Sequence, residues 1–295
     1  MRSGFVSIIG RPNVGKSTLL NSLINQKIAI TSNKPQTTRN IIQGIYNEEG
    51  YQIVFVDTPG IHKPINKLGK ILNKEAQSLT QDVDAILFVV DASEGIGSGD
   101  KRIIADLRST DSPVLLILNK IDKISREDII KTINEYRDLY DFAEIIPISA
   151  LKKNNVDDLL ATIKKYLTDN IRYFDDDIIT SSSISFMASE FVREKLLRMT
   201  EQEIPHSITC VTSKFEEKTD IVNITVDVIV DRDSIKKIVI GKNGQLLKSV
   251  GIEARKDIEA LLGKQVYLEL YVKTLKNWRD KEKYFSELGF NEIEL

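Results

Sequence analysis

Eight residues, Gly10-Arg11-Pro12-Asn13-Val14-Gly15-Lys16-Ser17, constrain this chain more than any other stretch. They spell G-x-x-x-x-G-K-S, a loop whose backbone N–H groups converge on one anion because glycine lets the chain turn without a side chain in the way. Such a loop works only between a strand and a helix, and both neighbours are legible. The apolar run Phe5-Val6-Ser7-Ile8-Ile9 precedes it, and Leu19, Leu20, Leu23 and Ile24 repeat behind it at helical spacing. The chain is therefore read as α/β, with its ligand at the carboxyl ends of parallel strands.

Residues 1–169 keep to that plan. β-rich runs at 5–9, 41–46, 51–56, 85–90, 114–118 and 145–148 alternate with helical patterns. Asn47-Glu48-Glu49-Gly50 is too short for a crossover, so the second strand is expected antiparallel to the third and the others parallel, a six-stranded mixed sheet. At 295 residues the chain exceeds one ordinary domain. Residues 170–183, with Asp175-Asp176-Asp177 and Ser181-Ser182-Ser183, lack apolar periodicity and are read as a linker. Residues 184–295 are read as an α+β domain in the order α-β-β-α-α-β, its middle helices separated by Gly241-Lys242-Asn243-Gly244.

The first domain carries a complete set of groups for one ligand class. Gly10, Asn13, Val14, Gly15 and Thr18 belong to the loop and helix start that cradle a polyphosphate. Lys16 is placed to reach the β- and γ-phosphates, and the Ser17 hydroxyl to bind Mg²⁺. Asp57-Thr58-Pro59-Gly60 ends a strand, which puts the Asp57 carboxylate near the metal and the Gly60 N–H near the γ-phosphate. In the polar stretch 31–40 a threonine hydroxyl, Thr38 in preference to Thr37, completes the metal shell when a γ-phosphate is present. Lys16, Thr38 and Gly60 are thus the candidate catalytic residues. Asn119-Lys120-Ile121-Asp122 follows the fifth strand. The Asp122 carboxylate accepts from the guanine N1–H and amino group, a donor pair adenine lacks, while Asn119 ties the base loop to the phosphate loop. Ser149-Ala150-Leu151, after the sixth strand, is placed to offer the Ala150 N–H to guanine O6. Guanine nucleotides, GTP and GDP, are the expected ligands. Asn13 is either a ligand for a monovalent cation such as potassium or a satisfied loop asparagine.

Composition rules out several other classes. A single cysteine, Cys210, cannot form an intramolecular disulfide, and without a Cys/His cluster there is no structural zinc. The apolar runs are far shorter than the roughly 20 residues that span a bilayer, and the N-terminus enters a strand at once, so a cytoplasmic protein is expected. The formal charge of −2 averages over the whole chain and conceals local patches.

The motifs resemble those of the Era family of bacterial ribosome-assembly GTPases. Gly10 to Ser17 continued by Thr18-Leu19-Leu20-Asn21, together with Gln36-Thr37-Thr38-Arg39 and Asp57-Thr58-Pro59-Gly60-Ile61, are typical of its first domain. Phe186 to Glu190, Arg193-Glu194-Lys195, Ile252 to Asp257 and Leu288-Gly289-Phe290 match its second. The resemblance implies a Ras-like G domain followed by a type II KH domain, which agrees with the element order read above. It further implies Mg²⁺-dependent GTP hydrolysis, binding to the 3′ end of small-subunit ribosomal RNA, help in assembling that subunit, and loose association with the inner membrane surface. Ile61 stands where Ras-like enzymes carry the glutamine that orients water, so slow intrinsic hydrolysis is expected. A monomer is expected.

RNA recognition would fall on the second domain. Glycines in Gly241-Lys242-Asn243-Gly244 let a nucleic-acid backbone approach, and helix N–H groups face its phosphates. Between Arg232 and Lys256 seven basic residues, Arg232, Lys236, Lys237, Lys242, Lys248, Arg255 and Lys256, oppose two acids, Asp233 and Glu253. That stripe is the expected electrostatic footprint of a phosphate track, although such a run is also what a solvated helix face looks like. Ile240, Leu246 and Val250 either floor the groove or belong to the core. Trp278, in a basic C-terminal segment, either contacts RNA or lipid or folds back as a lid. A competing reading is a membrane-peripheral signalling or cell-cycle regulator whose second domain binds lipid or protein.

Overall fold

The computed structural model describes residues 1–34, 37–59, 68, 83–201, 204–285, 287, 288 and 290. The chain divides into two compact units, the first running as far as Ser181. Its sheet has six strands in the order β2-β3-β1-β4-β5-β6: β1 Arg2–Ile9, β2 Ile42–Glu48, β3 Tyr51–Asp57, β4 Ala85–Asp91, β5 Val114–Asn119 and β6 Glu144–Pro147. β2 pairs antiparallel with β3, and the remaining neighbours are parallel, as the short hairpin requires. β4 and β5 are buried along their whole length, because helices cover both faces of a parallel sheet. The helices are α1 Lys16–Ile24, α2 Ser98–Leu107, α3 Arg126–Arg137 and α4 Val156–Ile163. Ile9, Phe88, Ile103, Ile104, Leu116 and Tyr136 form part of one core cluster in this unit. Where β2 meets α1, a Cβ on Gly44 would lie 2.7 to 2.9 Å from Leu20, Ile28 and Ile24, so close approach demands glycine.

Residues 169–181 are bonded to the sheet. Gln52, fully buried, accepts from the Tyr173 N–H (2.8 Å) and Phe174 N–H (3.1 Å) and donates to the Phe174 carbonyl (2.8 Å). Asn47 donates to the Ile178 carbonyl, the Ile45 N–H to the Ile179 carbonyl, and the Thr180 hydroxyl to the Gln43 carbonyl. The acidic and serine triplets thus flank a strap along β2, the edge strand of the sheet. A polar strap of this kind satisfies edge groups without contributing apolar periodicity.

The second unit comprises 182–295 joined by Ile30 to Lys34, Thr37 and Leu68 among the described earlier residues. Its helices are α5 Ile184–Met199, α6 Asp233–Ile240 and α7 Gln245–Leu262, and its strands are β7 Ile208–Glu217, β8 Ile221–Val230 and β9 Gln265–Thr274. The sheet order is β7-β8-β9, with β7 antiparallel and β9 parallel to β8. Ser183 caps α5 by accepting from the Phe186 N–H. α5 buries charge: Arg193, 0% exposed, makes a two-point ion pair with Glu190, and Lys195 lies between Glu194 (3.0 Å) and Asp257 of α7 (2.5 Å). Glu194 also accepts from the Thr31 N–H, and Arg193 donates to the Thr37 carbonyl. Trp278 is fully buried, its Nε1–H donating to the Ser207 carbonyl at 3.1 Å and its ring stacked 6.0 Å from Phe290. It is the folded-back segment, and its indole is not presented to a ligand. No helix among the described residues is long and apolar enough to cross a membrane.

Candidate functional site

The carboxyl ends of β1, β3, β4 and β5 bring the motifs together. The loop after β1 is shaped by positive φ at Gly10 (152°), Asn13 (66°) and Gly15 (101°), and α1 starts at Lys16. Lys16 is buried and donates to the carbonyls of Gly10 (3.1 Å) and Arg11 (3.0 Å). Burial lowers its pKa to about 8 despite the nearby Asp57 carboxylate.

Three oxygens meet beside it. The Ser17 hydroxyl donates to Asp57 Oδ2 at 2.7 Å, and Ser17 and Thr38 share a hydrogen bond of 2.8 Å. The reading that favoured Thr38 over Thr37 has a physical counterpart: the Thr37 hydroxyl turns away and donates to the Lys34 carbonyl. Asp57 is 0% exposed and its Oδ1 has no hydrogen-bond partner among the described residues. Burial raises its pKa to about 6, against the pull of Lys16 and Ser17. A buried carboxylate oxygen without a partner, next to two hydroxyls, is the donor set a hard cation such as Mg²⁺ prefers. Gly60 lies outside the described residues, as do Gln36 and Ile61.

The base-reading side is tied to the phosphate loop. Asn119 Nδ2 donates to the Val14 carbonyl (2.8 Å), and Lys120 Nζ donates to the Asn13 carbonyl (2.7 Å) and pairs with Asp91 at 2.5 Å. Asp122 is exposed, its carboxylate oriented by the Ser149 hydroxyl at 2.5 Å. The buried Asn119 Oδ1 accepts from the Ala150 N–H at 3.0 Å and from the Lys120 N–H. Leu151 is 72% exposed at the rim, and Thr18 lies in the first turn of α1. Sequence reasoning gave no role to Arg11, Asp91 and Asp100, which pair as Arg11–Asp100 at 2.9 Å and Lys120–Asp91 at 2.5 Å.

In the second unit, Gly241 (φ 75°), Asn243 (φ 53°) and Gly244 (φ 74°) turn the chain from α6 into α7. A groove of about 390 Å³ runs beside α7, lined by Gly244, Lys248, Arg255, Leu247, Ile252 and Leu268 among others. Gly244, Lys248 and Arg255 are therefore the predicted RNA residues on its walls. Lys242 and Asn243 are exposed in the turn, Lys256 is engaged with Glu253 at 2.7 Å, and Arg232, Lys236, Lys237 and Ile240 sit at and along α6, away from the groove lining. Val250 is core, 0% exposed. The apolar floor comes instead from Leu247, Ile252 and two residues of β9, Leu268 and Leu270, whose alternation in that strand was readable but whose neighbour was not.

Fold and site together define a GTPase of the phosphate-loop class with a KH domain appended. The family model described as "50S ribosome-binding GTPase" matches residues 5–120, and the KH domain model matches 203–279. A variant of Aquifex aeolicus Era bound to GDP and AlF4⁻ is 39% identical, with 98% of this chain and 99% of that chain covered and a TM-score of 0.94. A structure of Era in complex with MgGDPNP and nucleotides 1506–1542 of 16S ribosomal RNA is 40% identical over the same shares, with a TM-score of 0.95. The chain belongs to the Era family.

Proposed function

We propose that this GTPase couples its nucleotide state to the capture of single-stranded RNA at the 3′ end of small-subunit ribosomal RNA, and so assists assembly of the small subunit and maturation of its RNA. The observation that carries the reading is the groove beside α7, where Lys248 and Arg255 stand over an apolar floor and Gly244 leaves its entrance open. Cations hold the phosphates, apolar side chains receive splayed bases, and the glycine admits the backbone. Support also comes from the Era structure that contains 16S ribosomal RNA nucleotides.

On the nucleotide side, Ser17, Thr38 and Asp57 are the residues that would hold Mg²⁺, which supplies charge neutralisation at the phosphates. Lys16 contributes a cation to the same phosphates, and Asp122 selects guanine. Thr38 follows directly on the segment containing Thr31 and Thr37, so its engagement at the metal is the event proposed to report a γ-phosphate to the rest of the chain. Potassium near Asn13 is part of the proposal, tested by comparing turnover in potassium and sodium salts. The protein is proposed to act as a cytoplasmic monomer on the small ribosomal subunit, touching the inner membrane surface only peripherally.

The test is fluorescence anisotropy with a labelled single strand matching the small-subunit RNA 3′ end, in GDP and in a non-hydrolysable GTP analogue. Tighter binding with the analogue is expected. Equal affinity in the two states sinks the coupling, and no binding in either state, with binding to anionic vesicles instead, replaces RNA by a membrane partner.

A further inference from the structure

The stretch Glu94-Gly95-Ile96-Gly97-Ser98-Gly99-Asp100 has no part in the roles assigned above, yet it is built around one side chain of the phosphate loop. Arg11 Nε donates to Asp100 Oδ1 at 2.9 Å, and Arg11 Nη2 lies 3.4 Å from Glu94. Asp100 is fully buried and its second oxygen accepts from the Gly97 N–H at 2.8 Å, capping α2. The two glycines make room for the arginine. A Cβ on Gly99 would stand 2.7 Å from Arg11 Cδ, and one on Gly97 would stand 3.0 Å from Arg11 Nη1. A charged side chain with a shaped slot and a buried counter-ion is a fixed anchor, unlike a surface ion pair that exchanges with water.

We infer that Asp100 is a positioning residue for nucleotide binding, acting through Arg11 to hold the phosphate loop in its binding shape; the inference deepens the GTP-site reading and rests on it. The Arg11 carbonyl accepts from Lys16 Nζ, so the residue gripped by Asp100 is also one that places the phosphate-binding lysine. The next contact along the loop is the Asn13 carbonyl, held by Lys120, which Asp91 fixes in turn. The segment from Asp91 to Asp100 therefore braces the loop at two points, through Arg11 and, by way of Lys120, at Asn13. A loop ordered before the anion arrives loses less freedom on binding, and the anchor acts on the di- and triphosphate alike.

The test measures GDP, GTP-analogue and guanosine affinity together with the melting temperature of the nucleotide-free protein. Arg11→Met and Gly99→Ala should each weaken GDP and the analogue about tenfold, leave guanosine affinity as in the unmodified chain, and lower the nucleotide-free melting temperature by less than about 2 °C. Arg11→Lys should recover part of the loss, because an ammonium still pairs with Asp100. Asp100→Asn should follow Arg11→Met. If Asp100→Asn fails to fold because α2 loses its cap, the Arg11 and Gly99 variants decide alone. Unchanged GDP affinity in both overturns the inference, as does a fall in guanosine affinity equal to that of GDP. An unmodified chain that binds no GDP would instead overturn the GTP-site reading.

Discussion

Asn119 Nδ2 donates to the Val14 carbonyl from 2.8 Å and stands 2.3 Å from where a Cβ on Gly15 would be. One amide therefore joins two loops 105 residues apart and leaves no space for any side chain between them. Gly15 also has φ 101°, a conformation that L residues adopt only with strain. Gly15→Ala should displace Asn119 and with it the guanine loop, lowering GDP affinity at least about 100-fold and costing about 1–3 kcal/mol of stability. Calorimetric titration and a denaturant melt check the two effects separately.

The buried pair at the phosphate site makes the nucleotide-free protein sensitive to pH. Asp57 has a raised pKa near 6, so between its ordinary value of 3.8 and about 6 the folded protein binds more protons than the unfolded chain, and stability falls as pH rises through that window. Lys16 has a lowered pKa near 8, so between about 8 and 10.5 the unfolded chain binds more protons, and stability rises with pH. Nucleotide-free stability should therefore dip between about pH 6 and 8, where both groups are charged and buried. Mg²⁺ and phosphates favour those same charged forms, so nucleotide binding should stabilise most in that interval and weaken below about pH 6. Melting curves against pH, with and without Mg·GDP, test this; Asp57→Asn should remove the acid limb.

The two glycines of the turn before α7 should fail in different ways. At Gly241, φ 75° and ψ 174° lie in a region almost confined to glycine, and a Cβ would meet Leu246 at 2.8 Å. Gly241→Ala should destabilise the second unit by about 1–3 kcal/mol, read from a chemical melt. Gly244 has φ 74° with nothing near its Cβ position, so Gly244→Asp should fold with a cost of about 1–2 kcal/mol. Its carboxylate repels phosphate, and RNA affinity should drop at least about tenfold in anisotropy titrations while GDP binding stays unchanged.

Trp278 is the only tryptophan and is wholly buried, so its fluorescence reports the second unit alone. Trp278→Phe keeps the apolar contact but loses the hydrogen bond to the Ser207 carbonyl, and Trp278→Ala should cost about 3–5 kcal/mol. Denaturation followed by circular dichroism checks the ranking. RNA affinity unchanged in Trp278→Phe would agree with its packing role, whereas quenching of the native fluorescence by bound RNA would contradict it.

The strands, the loop that binds phosphate and the guanine-reading motif were legible because each depends on neighbours in sequence; the order of the strands across the sheet was not, because long-range pairing sets it. Glycines at fixed spacing turn the chain, apolar runs of period two or 3.6 choose strand or helix, and a short hairpin forces β2 to run antiparallel to β3. The basic stripe from Arg232 to Lys256 was visible as composition but not as a surface. Only α7 packed against β9 determines that Lys248 and Arg255 line a groove while Arg232 and Lys237 do not.

Charge was the least legible property, since a sequence records a charge without its partner. Arg193, Glu194 and Lys195 follow one another on a helix, yet all three are buried, Arg193 paired with Glu190 and Lys195 with Glu194 and Asp257. Arg11 stands in the phosphate loop with its partner, Asp100, 89 residues away in sequence. By itself the sequence determined the class of fold and the phosphate-loop and guanine-reading motifs, because those follow from local backbone geometry and residue chemistry. The tertiary structure alone decided which charges are buried and which loops are braced, because desolvation and ion pairing depend on what long-range packing sets within a few ångströms.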